Sequence, residues 1–124
     1  MNAKVLLVLR IVFGLFLITF GLNKFLQFMP MGEMGEAAGN FFGALMSTKT
    51  LMLVAIVEIV AGLSLLLNKY AALMMLILMS ISINAVLFHA TLEPGSIPGA
   101  IILLVLNVVM LYAYKDKYKD LLNG

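Results

Sequence analysis

Two opposite charges stand inside stretches of sequence that are otherwise almost wholly apolar: Arg10 within Val5 to Leu22, and Glu58 within Leu51 to Leu67. Stretches this long and apolar suit a hydrocarbon core, where an ionisable group is expensive unless it meets a partner or a wet cavity. Two kinds of chemistry follow. A bidentate arginine–carboxylate contact would clamp one helix to another and do nothing else. Alternatively, Glu58 is a proton-linked acid or a ligand-binding carboxylate whose charge Arg10 sets. Arg10 lies a little to one side of its helix centre and Glu58 close to its own. At about 1.5 Å of rise per residue, that leaves an offset an arginine reaches across, so a direct Arg10–Glu58 ion pair is expected.

Other polar groups fall on the same or neighbouring segments. Arg10, Gly14, Gly21 and Lys24 lie within about 80° of one another at 100° per residue, one stripe charged at two depths and small between them, which must face protein. Ala55, Glu58 and Gly62 share a face in the same way, with the glycine admitting a close neighbour. Further along, Asn84 pairs with Ser80 on one face and His89 with Ser82 on another. Asn84 and His89 differ by about 140° around the axis, so they cannot both point straight into one cavity. The candidate ligand-binding residues are Arg10, Lys24, Glu58, Asn84 and His89. His89, at the end of its helix, is in reach of Lys24, Asn23 or the segment that follows them. There an imidazole either acts as proton donor or quinone-oxygen partner, or sits at the interface with no chemical part. Asn107 reads as interhelical glue. The run Met29-Pro30-Met31-Gly32-Glu33-Met34 has thioethers suited to Cu(I), but ten methionines spread along the chain make plain hydrophobic filling the reading, and no metal site is assigned. No Gly-rich phosphate loop, Ser-His-Asp set, paired carboxylates or CxxC is present, and no catalytic residue is assigned.

The elements that must position these groups are set by composition. In 124 residues, 64% are hydrophobic and 11% charged, far too apolar for a soluble domain of this size. The hydrophobicity falls in four blocks, about 5–22, 51–67, 71–89 and 97–114, each close to one bilayer crossing. This predicts an all-α fold: a four-helix transmembrane bundle, up-down-up-down, forming one domain over 1–124. The first block resembles a signal peptide in position, but Arg10 interrupts it and no small-residue cleavage site follows, so it reads as a retained span. The net charge of +2 resides largely in residues flanking the blocks, and no basic patch interleaved with aromatics exists, which argues against nucleic acid as a partner. With no cysteine, disulfides, dithiol redox chemistry, thiolate metal sites and thiol nucleophiles are all excluded, so a redox role needs a bound cofactor or a partner.

Lys4, Lys69, Lys115, Lys117 and Lys119 mark one face as cytoplasmic, against Lys24 and Lys49 on the other, where Glu33, Glu36 and Glu93 also fall. Both termini are therefore expected in the cytoplasm. Asn68-Lys69-Tyr70 forces a tight hairpin, Pro94 and Gly95 end the third span, and Pro98 suits the first turn of the fourth. Ser47, Thr48 and Thr50 offer caps for the second span. The connection from Asn23 to Thr50 is rich in phenylalanine and methionine, and Glu36 to Met46 is expected to form a short helix in the outer interface.

Several pieces, taken in order, resemble the DoxX family of small four-helix membrane proteins: RIVFGLFLITFGLNKF from Arg10 to Phe25, FMP from Phe28 to Pro30, VEIVAGLSLLL from Val57 to Leu67, and NAVLFH from Asn84 to His89. The resemblance covers almost the whole chain. It implies a multi-pass protein of the bacterial inner (plasma) membrane and singles out Arg10, Lys24, Glu58 and His89 as the family's polar positions. It further implies a link to quinone or redox chemistry, since the family is named for a relative of a thiosulfate:quinone oxidoreductase subunit. The leading expectation is an accessory or subunit rather than a self-sufficient enzyme, with an outer-leaflet cavity. In that cavity Lys24, Glu58 and His89 bind or protonate a lipophilic ligand such as a quinone, while Arg10 sets the carboxylate's charge. Two alternatives stand beside it: a non-catalytic partner or assembly subunit of a membrane redox complex, and a small proton-coupled transporter. A homo-oligomer is compatible with each, and the lipid bilayer is a partner in all.

Overall fold

In a computed structural model, which describes residues 2–26 and 35–123, the chain is all-α. The Met29–Met34 run and Glu33 lie outside the described residues. The helices are α1 (Ala3–Leu26), α2 (Glu36–Ser47), α3 (Thr50–Leu67), α4 (Ala71–Leu92), α5 (Ile97–Ala113) and a final turn α6 (Lys119–Leu122). Short 3₁₀ turns at Pro94–Ser96 and Lys115–Tyr118 precede α5 and α6.

Three helices, α1, α3 and α4, are each long and apolar enough to cross a membrane. A fourth crossing is reached if α5 is counted together with the Lys115–Leu122 segment, bent from it by 73°. At 1.5 Å per residue the 17 residues of α5 span about 25 Å, the short end of what a bilayer core requires. The bend falls where the apolar run gives way to Lys115, Asp116 and Lys117.

The helices associate through small residues and a few internal polar contacts. Gly14, Gly21 and Gly62 are buried between α1 and α3, and their lack of a side chain sets the spacing. A Cβ placed on Gly62 would come within 2.7 Å of the Gly14 carbonyl oxygen, and one on Gly21 within 3.0 Å of the Ala55 carbonyl oxygen. The helices therefore run in opposite directions with Gly14 level with Gly62 and Gly21 level with Glu58. Between α4 and α5 the Ser82 hydroxyl donates to Asn107 Oδ1 at 2.6 Å, and Asn107 Nδ2 donates to the Met75 carbonyl at 3.0 Å. Both side chains are fully buried, and each bond satisfies a group that would otherwise be stranded in apolar surroundings. Asn107 is interhelical glue, as its type suggested. The core around them holds Phe13, Leu17, Leu65, Met75, Leu78 and Met110.

Three connections show how the chain turns. Between α3 and α4, Asn68 and Tyr70 both take left-handed conformations, with φ of 53° and 57°, which reverses the chain in three residues. Ser47, Thr48 and Thr50 do not supply the expected side-chain cap for α3, whose N-cap is Lys49. Thr48 instead donates back to the Ala44 carbonyl at 2.8 Å and ends α2, because α2 and α3 are separated by too few residues for both helix ends to share it. Beyond the bend, Tyr118 is buried and its hydroxyl donates to the Ala72 carbonyl at 2.7 Å, tying the tail to the start of α4.

Candidate functional site

The first finding at the site corrects an expectation. Glu58 does not pair with Arg10. Its Oε1 lies 2.5 Å from Lys24 Nζ, and Arg10 donates from Nε to the Leu65 carbonyl at 2.9 Å. Two features of the sequence reading account for the miss. The hydrophobic block ends at Leu22, whereas α1 continues to Leu26, there being no glycine or proline between Gly21 and Leu26 to stop it, and so carries Lys24 on its last turn. Level helix centres would bring Arg10 within reach of Glu58, whereas the glycine contacts slide α3 so that Glu58 stands opposite Gly21. Arg10 is then eleven residues away along α1, about 16 Å, well beyond its side chain, while Lys24 is three residues away, about 4.5 Å.

The Lys24–Glu58 pair forms part of the wall of a cavity of about 250 Å³. Phe16, Phe20 and Lys24, one turn apart from each other on α1, form one side, with Glu58 from α3 at the base. Ala85 and His89, also one turn apart on α4, face them, and Gly99, Ala100 and Leu103 of α5 close the wall. Glu58 is almost fully buried, with 4% of its side chain exposed, whereas Lys24 keeps 23%, so the ammonium lies between the carboxylate and the opening. Phe20 of α1 and Gly99 of α5, both on the wall, are exposed, which places the opening between α1 and α5.

His89 is held from behind. Its Nδ1 is 3.2 Å from the Glu93 carbonyl oxygen and 3.5 Å from the Glu93 carboxylate. Two acceptors at one ring nitrogen require the proton there, which leaves Nε2 of the neutral ring as an acceptor. The ring meets Phe88 edge-on at 5.0 Å, and Phe88 stacks on Phe41 of α2 at 5.2 Å. Phe41 thereby packs α2 against the helix end that carries the imidazole.

Of the five candidate residues, the structure brings Lys24, Glu58 and His89 to one cavity. Arg10 belongs to the opposite end of α1, near Leu65. Asn84 is exposed on the far side of α4 and donates to the Ser80 carbonyl at 2.7 Å. Sequence reasoning missed Glu93 as the partner of His89, although i,i+4 spacing carries that signal, and missed Phe16 and Phe20, which repeat at the same interval before Lys24. The α5 wall gave no signal, since glycine, alanine and leucine there differ in nothing from lipid-facing residues.

The DoxX family model matches residues 5–91, which run from α1 to the end of α4. The chain belongs to the DoxX family. Membership, together with the apolar helices, makes it a multi-pass membrane protein in contact with the lipid bilayer. The matched region holds the three DoxX helices that supply Lys24, Glu58 and His89, while the α5 wall of the cavity lies beyond it. No curated protein and no solved structure matches the chain.

Proposed function

We propose that this DoxX protein binds the polar head of a lipophilic ligand of the quinone class in the Lys24–Glu58–His89 cavity, as an accessory or subunit of a membrane redox system. The observation that carries the reading is a buried carboxylate with an ammonium 2.5 Å away, on the wall of a cavity that otherwise presents His89 among phenylalanine, alanine, glycine and leucine. A quinone head has the matching chemistry. Its flat apolar ring suits Phe16 and Phe20, and its carbonyl oxygens accept from an ammonium. In its reduced form, its hydroxyl donates to an imidazole acceptor. About 250 Å³ admits one such ring, with the isoprenoid tail leaving past Phe20 into lipid. Within this reading Lys24 orients the oxygen, His89 accepts from the ligand hydroxyl at Nε2, and Glu58 holds the lysine in place. Electrons would come from a partner, since the chain has no cysteine and none of its own residues is suited to supply them.

The same reading includes a four-helix up-down-up-down bundle with α5 as the fourth span, α2 in the outer interface, and both termini on the cytoplasmic side of the plasma membrane. Support comes from the charges at the Arg10 end, where Lys4, Lys69, Lys115, Lys117 and Lys119 fall. Lys24 carries less weight on the opposite side because Glu58 neutralises it. The test is equilibrium binding of a short-tailed quinone to purified protein in lipid nanodiscs. Saturable one-to-one binding that is lost in Glu58→Gln and in His89→Phe is expected. Absence of binding to the parent protein removes the reading.

A further inference from the structure

We propose that α4 is the seam of a parallel homodimer, with Asn84 of one copy hydrogen-bonded to the partner's Asn84. The observation behind this is a polar group in the wrong place. Asn84 lies near the middle of a 22-residue membrane helix, yet it is exposed. Its Nδ2 donates to the Ser80 carbonyl at 2.7 Å, the one side-chain hydrogen bond of its amide among the described residues. In hydrocarbon an unmet amide oxygen and N–H cost several kcal/mol, so a carboxamide aimed out of a bundle needs something polar against it. Asn107, the other carboxamide deep in a span, shows the usual solution, being fully buried and bonded on both its oxygen and its nitrogen.

The residues around Asn84 indicate what covers it. Leu73, Ile77, Ser80, Asn84, Leu87 and Thr91 are all exposed, and their spacing is four, three, four, three, four. That is an unbroken a/d heptad seam with Asn84 at an a position, the pattern that packs helices side by side at a shallow left-handed angle. The flanking Leu76 and Ile83 are exposed as well and widen the strip, while Met74, Met75, Leu78 and Ser82 occupy the opposite face toward the protein. Two copies inserted in the same orientation meet about an axis along the membrane normal, so α4 packs parallel to its counterpart and every a position faces itself. An asparagine is suited to such a position because an amide both donates and accepts and is therefore complementary to its own image. A single asparagine at an a position is also the device that fixes register in parallel helix pairs. The seam lies across α4 from His89, so pairing leaves the cavity open.

The absence of cysteine allows a clean test. Single variants Ile77→Cys, Leu87→Cys and Thr91→Cys, with Leu63→Cys on α3 and Val105→Cys on α5 as exposed controls, are oxidised in lipid vesicles. Energy transfer between labelled copies gives the dimer dissociation constant for the parent chain and for Asn84→Ala. Cross-linked dimers at the three α4 positions and not at the controls are expected. Asn84→Ala should raise the dissociation constant at least threefold, with helix content and the thermal transition of the monomer unchanged. Equal cross-linking on the control faces, an Asn84→Ala dissociation constant equal to the parent's, or a monomeric parent whose α4 cysteines link only to a different membrane protein would each overturn the proposal.

Discussion

Lys24 reaches back from the last turn of α1 to place its ammonium 2.5 Å from the Glu58 carboxylate, where α1 and α3 are held together by facing glycines. A buried ion pair is costly to break on one side only, because the remaining charge has no water to turn to. Lys24→Met should therefore destabilise the protein by about 3 kcal/mol, and Lys24→Met with Glu58→Leu should recover most of that loss. Reversible unfolding in mixed micelles gives the values. In a double-mutant cycle, Arg10 and Glu58 should be uncoupled within about 0.5 kcal/mol, as sites this far apart usually are. Coupling of Arg10 to Glu58 larger than that of Lys24 would contradict the assignment.

Gly62 tests the register that produces the pair. A methyl group there would stand 2.7 Å from the Gly14 carbonyl oxygen and 2.6 Å from the Ile18 side chain, and the backbone oxygen cannot rotate away. Gly62→Ala should lower stability by about 1–3 kcal/mol through forced separation of α1 and α3. It should also weaken ligand binding, because Lys24 and Glu58 sit on the two helices that move. By contrast, Gly99→Ala meets open space and should leave stability unchanged.

Asn107 holds α4 to α5 with two buried hydrogen bonds, from Ser82 and to the Met75 carbonyl. Asn107→Ala leaves the Met75 carbonyl without that donor and should cost about 1–3 kcal/mol. Ser82→Ala should cost less, since it leaves the Asn107 amide its bond to Met75. The order of the two unfolding midpoints decides the point, and a larger loss from Ser82→Ala would contradict it.

Burial, with Tyr114 beside it, pushes the Tyr118 phenol up to about 12 from an ordinary value of 10. A phenol that holds its proton more tightly when folded contributes stability that is fully present below pH 10 and is lost as the pH rises through about 12. Alkaline unfolding should accordingly begin above pH 10 and be shallower in Tyr118→Phe, which also gives up the hydrogen bond to Ala72. Phenolate absorbance followed alongside helix content would show it, and an identical alkaline profile in the variant would contradict it.

How far the sequence alone reaches differs from one residue to the next. The stripe from Arg10 through Gly14 and Gly21 to Lys24 is legible from a 100° step, because it depends on one helix only, and so is the divergence of Asn84 from His89. The partner of Glu58 is not legible in that way. It depends on how α3 slides along α1, which is decided by the contacts of Gly14, Gly21 and Gly62 and not by the position of any charge within its own helix. The hydrophobic block ends at Leu22, yet the stripe already carries Lys24 onto the same helix, and α1 runs on to Leu26. Gly99, Ala100 and Leu103 line the cavity without any chemical mark, since a wall is defined by what it faces.

The central claim is that Lys24, Glu58 and His89 form one ligand-binding site from which Arg10 and Asn84 are excluded. Native mass spectrometry of the purified protein with a short-tailed quinone tests it most directly, across Glu58→Gln, His89→Phe, Arg10→Lys and Asn84→Ala. A one-to-one adduct that disappears in the first two variants and persists in the last two is the predicted result. An adduct absent from the parent protein, or one abolished equally by Arg10→Lys, would contradict the account.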